Sequence, residues 1–239
     1  MQVVTVANRV PTEPYYRFHE FVESLAKFDV KPVVLGMNEW WKGLMTKPFR
    51  YREYLRANPT GRVILCDAFD VVFAQHPESV DEWCRHVFGD DMVVFNGEKG
   101  CWPREDLKEY FPDMGSPWRY LNSGFLIGRA DRVLAILEAM DIETIGFDPP
   151  GGPYPNDQGE FQRLYAERPD LGMVVDTDCV LAQTLSACAL DEFDFTGSMI
   201  RNRMTGEAPG AFHCNGGSKE IFQDALFAKL GLGHTRPTA

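Results

Sequence analysis

The stretch Arg62–Phe73, "RVILCDAFDVVF", decides how the rest of the chain is read. An aliphatic run leads through Cys66 into Asp67, and Asp70 follows before the chain turns apolar again. A short continuous apolar run suits a strand buried on both faces, as in a parallel sheet covered by helices. Two carboxylates at the end of such a strand either cap a turn or hold a cation at the sheet's edge. Ligands of open α/β sheets gather beyond the C-terminal strand ends, where Asp67 and Asp70 fall.

Working outward, "QVVTVA" (Gln2–Ala7) and "KPVVLG" (Lys31–Gly36) are β-branched runs that predict two more strands. Between them Tyr15, Phe18, Phe21, Leu25 and Phe28 recur at helical spacing. Lys47–Ala57 and Ser79–Phe88 predict helices on either side of the Arg62–Asp67 strand, and "DMVVFN" (Asp91–Asn96) predicts a fourth strand. Such alternation implies right-handed β-α-β crossovers and a mainly parallel sheet. Beyond residue 96 the regularity fades into the loop-like "GEKGCWPRED". "SGFLIG" (Ser123–Gly128) predicts a strand, and Arg132–Met140, Asp157–Glu167 and Glu220–Leu230 predict helices. "GFDPPGGPYPND" (Gly146–Asp157) reads as an active-site loop rather than a domain boundary. The expectation is one domain over 1–239 with a frayed tail at 231–239.

The 239 residues carry a net charge of −11, from 35 acidic and 24 basic side chains, which disfavours a broad grip on a polyanion. Basic residues cluster in "KPFRYREYLR" (Lys47–Arg56) and "RNR" (Arg201–Arg203), both expected as solvated faces. No apolar run is long enough to span a membrane, and "MQVVTVANRVPTEP" lacks the pattern of a signal peptide. The expected compartment is therefore the cytoplasm, that of the host if the source is viral. Six scattered cysteines without a C-x-x-C pair are expected as buried free thiols.

A second constellation lies far from the first. "HCNGGSK" supplies the imidazole of His213, glycines at Gly216 and Gly217, and the ammonium of Lys219 at a helix start. Glycines allow backbone N–H groups to approach a phosphate, and a helix start and a lysine both favour negative charge. Together with Asp67 and Asp70, a neutral His213 describes a metal-bridged diphosphate site. Taken singly, each motif also fits a turn, a loop histidine and a surface lysine. Asn122 and Ser123 in "YLNSGFLIG" precede a predicted strand and offer an amide and a hydroxyl to sugar hydroxyls, or form a plain turn. Asp157 in "PNDQGEF" is either a helix N-cap or a carboxylate that orients a hydroxyl. Trp102 in "GCWP" is either a platform for a sugar face or a core tryptophan.

The ordered set "DAFDVVF", "CWP", "YLNSGFLIG", "NDQ…F…LY" and "HCNG…K" resembles the glycosyltransferase domain of the procollagen lysyl hydroxylases and, more loosely, related collagen glycosyltransferases. The likeness runs from about Val3 to Lys219. It implies a GT-A fold: an α/β, Rossmann-like, mixed and mainly parallel sheet flanked by helices. It also implies a manganese ion, with magnesium as the substitute, and a UDP-sugar donor, UDP-glucose or UDP-galactose. By position, the resemblance makes Asp67, Asp70 and His213 metal ligands and sets Asn215, Gly216 and Lys219 against the diphosphate. Val6, Ala7 and Asn8 fall where the family holds uridine, and Trp41 (or Trp40) and Lys47 fall on the donor side. Trp102 matches a loop tryptophan beside the site, and Asp157 the last member of an acidic run reduced here to Asn156 and Asp157. Asp157, Asn122 and Trp102 are thus the expected catalytic set.

If the anomeric configuration is retained, as the resemblance suggests, the leaving phosphate oxygen takes the acceptor's proton; if it is inverted, Asp157 is the candidate base. The acceptor implied by the family is hydroxylysine or galactosyl-hydroxylysine of collagen-like protein. The alternative is the hydroxymethyl group of a modified pyrimidine in DNA, reached through a local groove of Arg50, Arg52, Arg56, Arg201 and Arg203. A non-catalytic module binding nucleotide sugars is the third possibility.

Overall fold

The computed structural model describes residues 1–11, 16–140, 142 and 156–233. The expected loop at 146–155, Tyr15 and the tail beyond 233 lie outside the described residues. A nine-stranded mixed sheet runs in the order β2-β1-β3-β6-β5-β8-β11-β4, with β7 pairing β5 off that path. Its strands are β1 (Gln2–Val6), β2 (Val33–Leu35), β3 (Arg62–Asp67), β4 (Val71–Phe73), β5 (Val93–Glu98), β6 (Tyr120–Arg129), β7 (Met173–Asp176), β8 (Ala182–Thr184) and β11 (Ala211–His213). A separate two-stranded ribbon joins β9 (Phe193–Asp194) to β10 (Arg201–Asn202). Among the described residues, helices α1 (Phe18–Ala26), α2 (Thr46–Ala57), α3 (Pro77–Phe88), α4 (Ala130–Ala139), α5 (Asp157–Glu167) and α6 (Lys219–Leu230) flank the sheet.

Side-chain alternation along the strands builds two apolar layers. Val4, Val63, Leu65, Val93, Phe95 and Leu126 point to one face with Leu55, Val133, Ile136, Phe161 and Leu164 of α2, α4 and α5. Val3, Ile64, Cys66, Val94, Phe125 and Ile127 point to the other, under Phe21 and Leu25 of α1 and Val80 and Cys84 of α3. Burial on both faces is why β3 reads as an unbroken apolar run. A third cluster seats α6, through Phe222 and Leu226, on Phe212 and Val72.

The crossovers at β2-β1-β3 are parallel, as the alternation of elements predicts. The departure is β6, which inserts antiparallel to both β3 and β5. It also begins at Tyr120, so Asn122 and Ser123 lie inside a strand rather than in a turn before one. A register shift at Phe95/Asn96 accommodates the added length. The cysteines are free, and all but the half-buried Cys188 are buried, as expected.

Curvature of the sheet follows from chain reach. β3 stands third and β4 eighth in the strand order, yet only residues 68–70 join them. Five strand spacings of a flat sheet would cover ~24 Å. Four Cα steps span at most ~15 Å. The sheet therefore has to curl until the β11-β4 rim comes back to the end of β3.

Candidate active site

That curl brings the two distant motifs together. Asp67 ends β3 beside Val6, its register partner on β1. β4 then pairs antiparallel with β11, setting Val71 opposite His213, and the Cys214 amide donates to the Asp70 carbonyl at 2.8 Å. Among the described residues, Asp67, Asp70 and His213 form a group whose ligand atoms all lie within 4.8 Å of one another. His213 Nε2 lies 3.6 Å from an Asp67 oxygen and 3.5 Å from an Asp70 oxygen. Gly124 makes room for the imidazole: a Cβ there would lie 2.0 Å from His213 Cε1.

The surroundings concentrate positive charge on these carboxylates. Lys219, the first residue of α6, sets Nζ 3.0 Å from Asp70. Burial alone would raise the Asp70 pKa, but His213 and Lys219 outweigh it and hold the carboxyl well below its ordinary range. Burial works against an imidazolium at His213, yet Asp70 and Asp67 prevail and raise its pKa. The donor set, two carboxylates and an imidazole nitrogen aimed between them, fits a divalent ion of the manganese or magnesium kind.

Lys47 of α2 reaches across the cleft, with Nζ 2.5 Å from Asp67 Oδ1 and 2.9 Å from Asp157 Oδ2. Burial pushes its pKa down, and Asp157 and Asp67 more than reverse the effect, so the ammonium stays charged. Asp157 is buried and also accepts from the Ser123 hydroxyl at 3.0 Å. It is not the helix cap, because that role belongs to Asn156, whose side chain accepts from the Gly159 amide.

Two adjoining clefts meet at this centre. One, of about 540 Å³, is lined by Asp67, Asp70, Glu98, Trp102, Asn122, Asp157, Gln158, His213, Asn215 and Gly216, among others. Trp102 lines this cleft and is 58% exposed, so it is not a core residue. The other, of about 390 Å³, is bounded by Val6, Asn8, Tyr16, Trp41, Lys47 and Phe69 and shares Asp67 and Asp70. Trp41 lines it, whereas Trp40 is 81% exposed, which separates the two tryptophans. Ala7 is buried in the sheet, its amide bonded to the Leu35 carbonyl, and it does not line the cleft.

Glu98, at the end of β5, was not legible as a site residue. Its single carboxylate sits in a charged, loop-like stretch, and its burial comes from strands distant in sequence. Asn215 donates to it, while the Asn215 oxygen accepts from the amides of Leu185 (3.2 Å) and Ser186 (3.0 Å).

Comparison with known proteins agrees with this architecture. The sequence matches the PLOD GT domain family over residues 1–226. Procollagen-lysine,2-oxoglutarate 5-dioxygenase of Drosophila melanogaster is 28% identical over 238 residues, covering 92% of this chain and 31% of that protein. The human multifunctional procollagen lysine hydroxylase and glycosyltransferase LH3 is 28% identical over 235 residues, covering 91% of this chain and 30% of that one. The chain thus spans about a third of the length of these relatives. In structure it is similar to the galactosyltransferase LgtC in complex with donor and acceptor sugar analogues (TM-score 0.55, 14% identity, 99% of this chain and 98% of that one). Mouse xyloside xylosyltransferase 1 is similar at a TM-score of 0.52 and 13% identity, over 90% of this chain and 97% of that one. The fold is that of the GT-A glycosyltransferases, and the chain belongs to the PLOD GT domain family, as the residues of its two converging motifs imply.

Proposed function

We propose that the protein is a divalent-metal-dependent hexosyltransferase that moves glucose or galactose from a UDP-sugar to a hydroxyl of hydroxylysine or galactosyl-hydroxylysine in collagen-like protein. The observation that carries this reading is the convergence of Asp67, Asp70 and His213, with Lys219 beside them, at the meeting point of two clefts in a chain of this family.

Asp67, Asp70 and His213 would hold the ion, which when bound supplies Lewis-acid neutralisation of the departing diphosphate. Lys219 and the start of α6 place a fixed cation and backbone N–H groups on the same side, where leaving-group charge develops. The cleft with Val6, Asn8 and Trp41 suits the nucleoside, and the wider one with Trp102 and Asp157 suits sugar and acceptor. Asp157 shares a charged ammonium with Asp67 and accepts a hydrogen bond from the Ser123 hydroxyl. A carboxylate so engaged is better suited to orienting a hydroxyl, or stabilising positive charge at the anomeric carbon, than to taking a proton. That favours retention, with the leaving oxygen receiving the proton.

The relatives favour a protein acceptor over DNA. Arg50, Arg52, Arg56, Arg201 and Arg203 are not among the residues lining the two clefts, and Arg50 and Arg56 are engaged by Glu39, Glu53 and Glu138. Among the described residues no helix is long and apolar enough to cross a membrane.

The test is a mass assay with UDP-glucose and UDP-galactose in manganese, offering collagen-like peptide and hydroxymethylated DNA in parallel. The expected result is a one-hexose gain on the peptide, lost in Asp67→Ala and His213→Ala. Full turnover in those variants would refute the site, and a gain on DNA alone would refute the acceptor.

A further inference from the structure

His213 can ligate a cation through Nε2 only if its other nitrogen carries the proton, because a neutral imidazole has one N–H and one lone pair. The side chain facing Nδ1 therefore decides whether the imidazole is a competent ligand. His213 Nδ1 lies 3.1 Å from Asn122 Oδ1, and both residues are buried.

The orientation of that amide is over-determined. Its oxygen accepts from the Gly124 backbone N–H at 2.8 Å, and its nitrogen donates to Glu98 Oε2 at 2.6 Å. A flip would face Nδ2 towards the Gly124 N–H and turn Oδ1 towards a carboxylate, losing both bonds at once. With Oδ1 fixed as an acceptor, Nδ1 has to be the donor. The Nε2 lone pair is then left facing Asp67 and Asp70, 3.6 and 3.5 Å away.

We infer that Asn122, clamped by Glu98 and the Gly124 amide, is a positioning residue that holds His213 as the Nδ1–H tautomer and so presents Nε2 to a divalent cation. This deepens the cation site of the proposed function and rests on that reading: once a cation takes up the charge of Asp67 and Asp70, Nε2 faces the ion and the single proton stays on Nδ1, against Asn122. Glu98 also takes the amide N–H of Asn215. One carboxylate thus ties β5 to Asn122 on β6 and to the loop that leads from β11 into α6. A partner of this kind behind a metal-binding histidine is worth about 10- to 100-fold in metal affinity.

The experiment combines two readouts on the whole chain: imidazole 15N shifts of His213 in the presence of diamagnetic Mg2+ at a pH where the ring is neutral, and Mn2+ affinity from the free-ion EPR signal. The wild type is expected to show a pyrrole-type Nδ1 and a pyridine-type Nε2. Asn122→Ala should shift the ring towards Nε2–H and weaken Mn2+ about 10- to 100-fold. Glu98→Leu, which frees the amide, should move both readouts in the same direction. Glu98→Gln keeps an oxygen for the Asn122 and Asn215 donors, so it should retain the tautomer and bind Mn2+ within about threefold of wild type, the lost hydrogen-bond charge being a modest term.

A wild-type ring protonated at Nε2 overturns the inference without any variant, as does an Asn122→Ala protein with unchanged tautomer and unchanged Mn2+ affinity. A wild type that takes up neither ion would instead sink the cation reading of the proposed function, and whether Nδ1 carries a proton in the wild type and loses it in Asn122→Ala would still decide the role of Asn122.

Discussion

Substituting Gly124 with alanine tests the whole geometry of the centre with one methyl group. An added Cβ would meet His213 at 2.0 Å from Cε1, 2.5 Å from Nδ1 and 2.7 Å from Nε2. Ordinary contact begins near ~3.4 Å, so the ring has to retreat by about 1.4 Å, several times the ~0.2 Å within which a metal ligand keeps its bond. His213 is buried in the β11-β4 pair, so the retreat also strains packing, at about 1–3 kcal/mol for an overpacked core. Displacing one of the three proposed ligands should weaken Mn2+ by at least ~100-fold, or about 2.8 kcal/mol. The assay is Mn2+ titration by EPR together with urea unfolding, repeated in a His213→Ala background. There the methyl group enters space the ring has left, so Gly124→Ala should become nearly neutral in both readouts. Mn2+ affinity within threefold of wild type in the single variant, or an equal unfolding cost in both backgrounds, would refute the reasoning.

Three further outcomes are expected. Asp176 is pushed up to about 6 by burial, the amides of Leu181, Val180 and Ala182 only partly opposing it. Since an unfolded aspartate titrates near ~3.9, the stability this group confers is full below that pH and is lost as pH rises through about 6. Urea midpoints should therefore show wild type losing ground to Asp176→Asn between those values, by roughly 3 kcal/mol in all, and a flat or opposite difference would refute it. Lys47→Met should cost about 3–5 kcal/mol by leaving Asp157 buried without its ammonium, and the loss should shrink in an Asp157→Asn background; equal losses in both would show that the pair is not coupled. Trp102→Ala, at an exposed position, should leave unfolding unchanged and raise the acceptor KM by about 2- to 10-fold while donor hydrolysis persists; altered hydrolysis would place Trp102 on the donor side.

Much of the fold was legible where the signal is local. The strand Arg62–Asp67 and the helix Asp157–Glu167 match the expectation residue for residue, because unbroken apolar burial and a polar helix start after a Pro-rich stretch are written in adjacent residues. The antiparallel β6 was not legible, since an apolar strand buried on both faces reads the same in either direction. β4, β8 and β11 have three residues each, too few to show a period, and the β4-β11 pairing that sets His213 beside Asp70 is non-local. The clustering of Asp67, Asp70 and His213 was legible because few chemistries need two such motifs in one chain. The shared ammonium of Lys47, the clamp at Glu98 and the cap at Asn156 depend on which side chains folding turns inward, and residue type alone does not carry that.

The short passage from β3 to β4 has one more consequence. Asp67 stands on a middle strand and His213 on the strand next to the rim, so the cluster bridges two stations of one sheet that has nearly met itself. A cation lodged there would act as a rivet in a bent ribbon: the backbone already joins the two stations through 68–70, and ligation would add a second fastening across the same gap. The mouth formed by those strands could then admit or release a nucleotide only by motion of the surrounding segments, because the two sides of the bend are held at a fixed span.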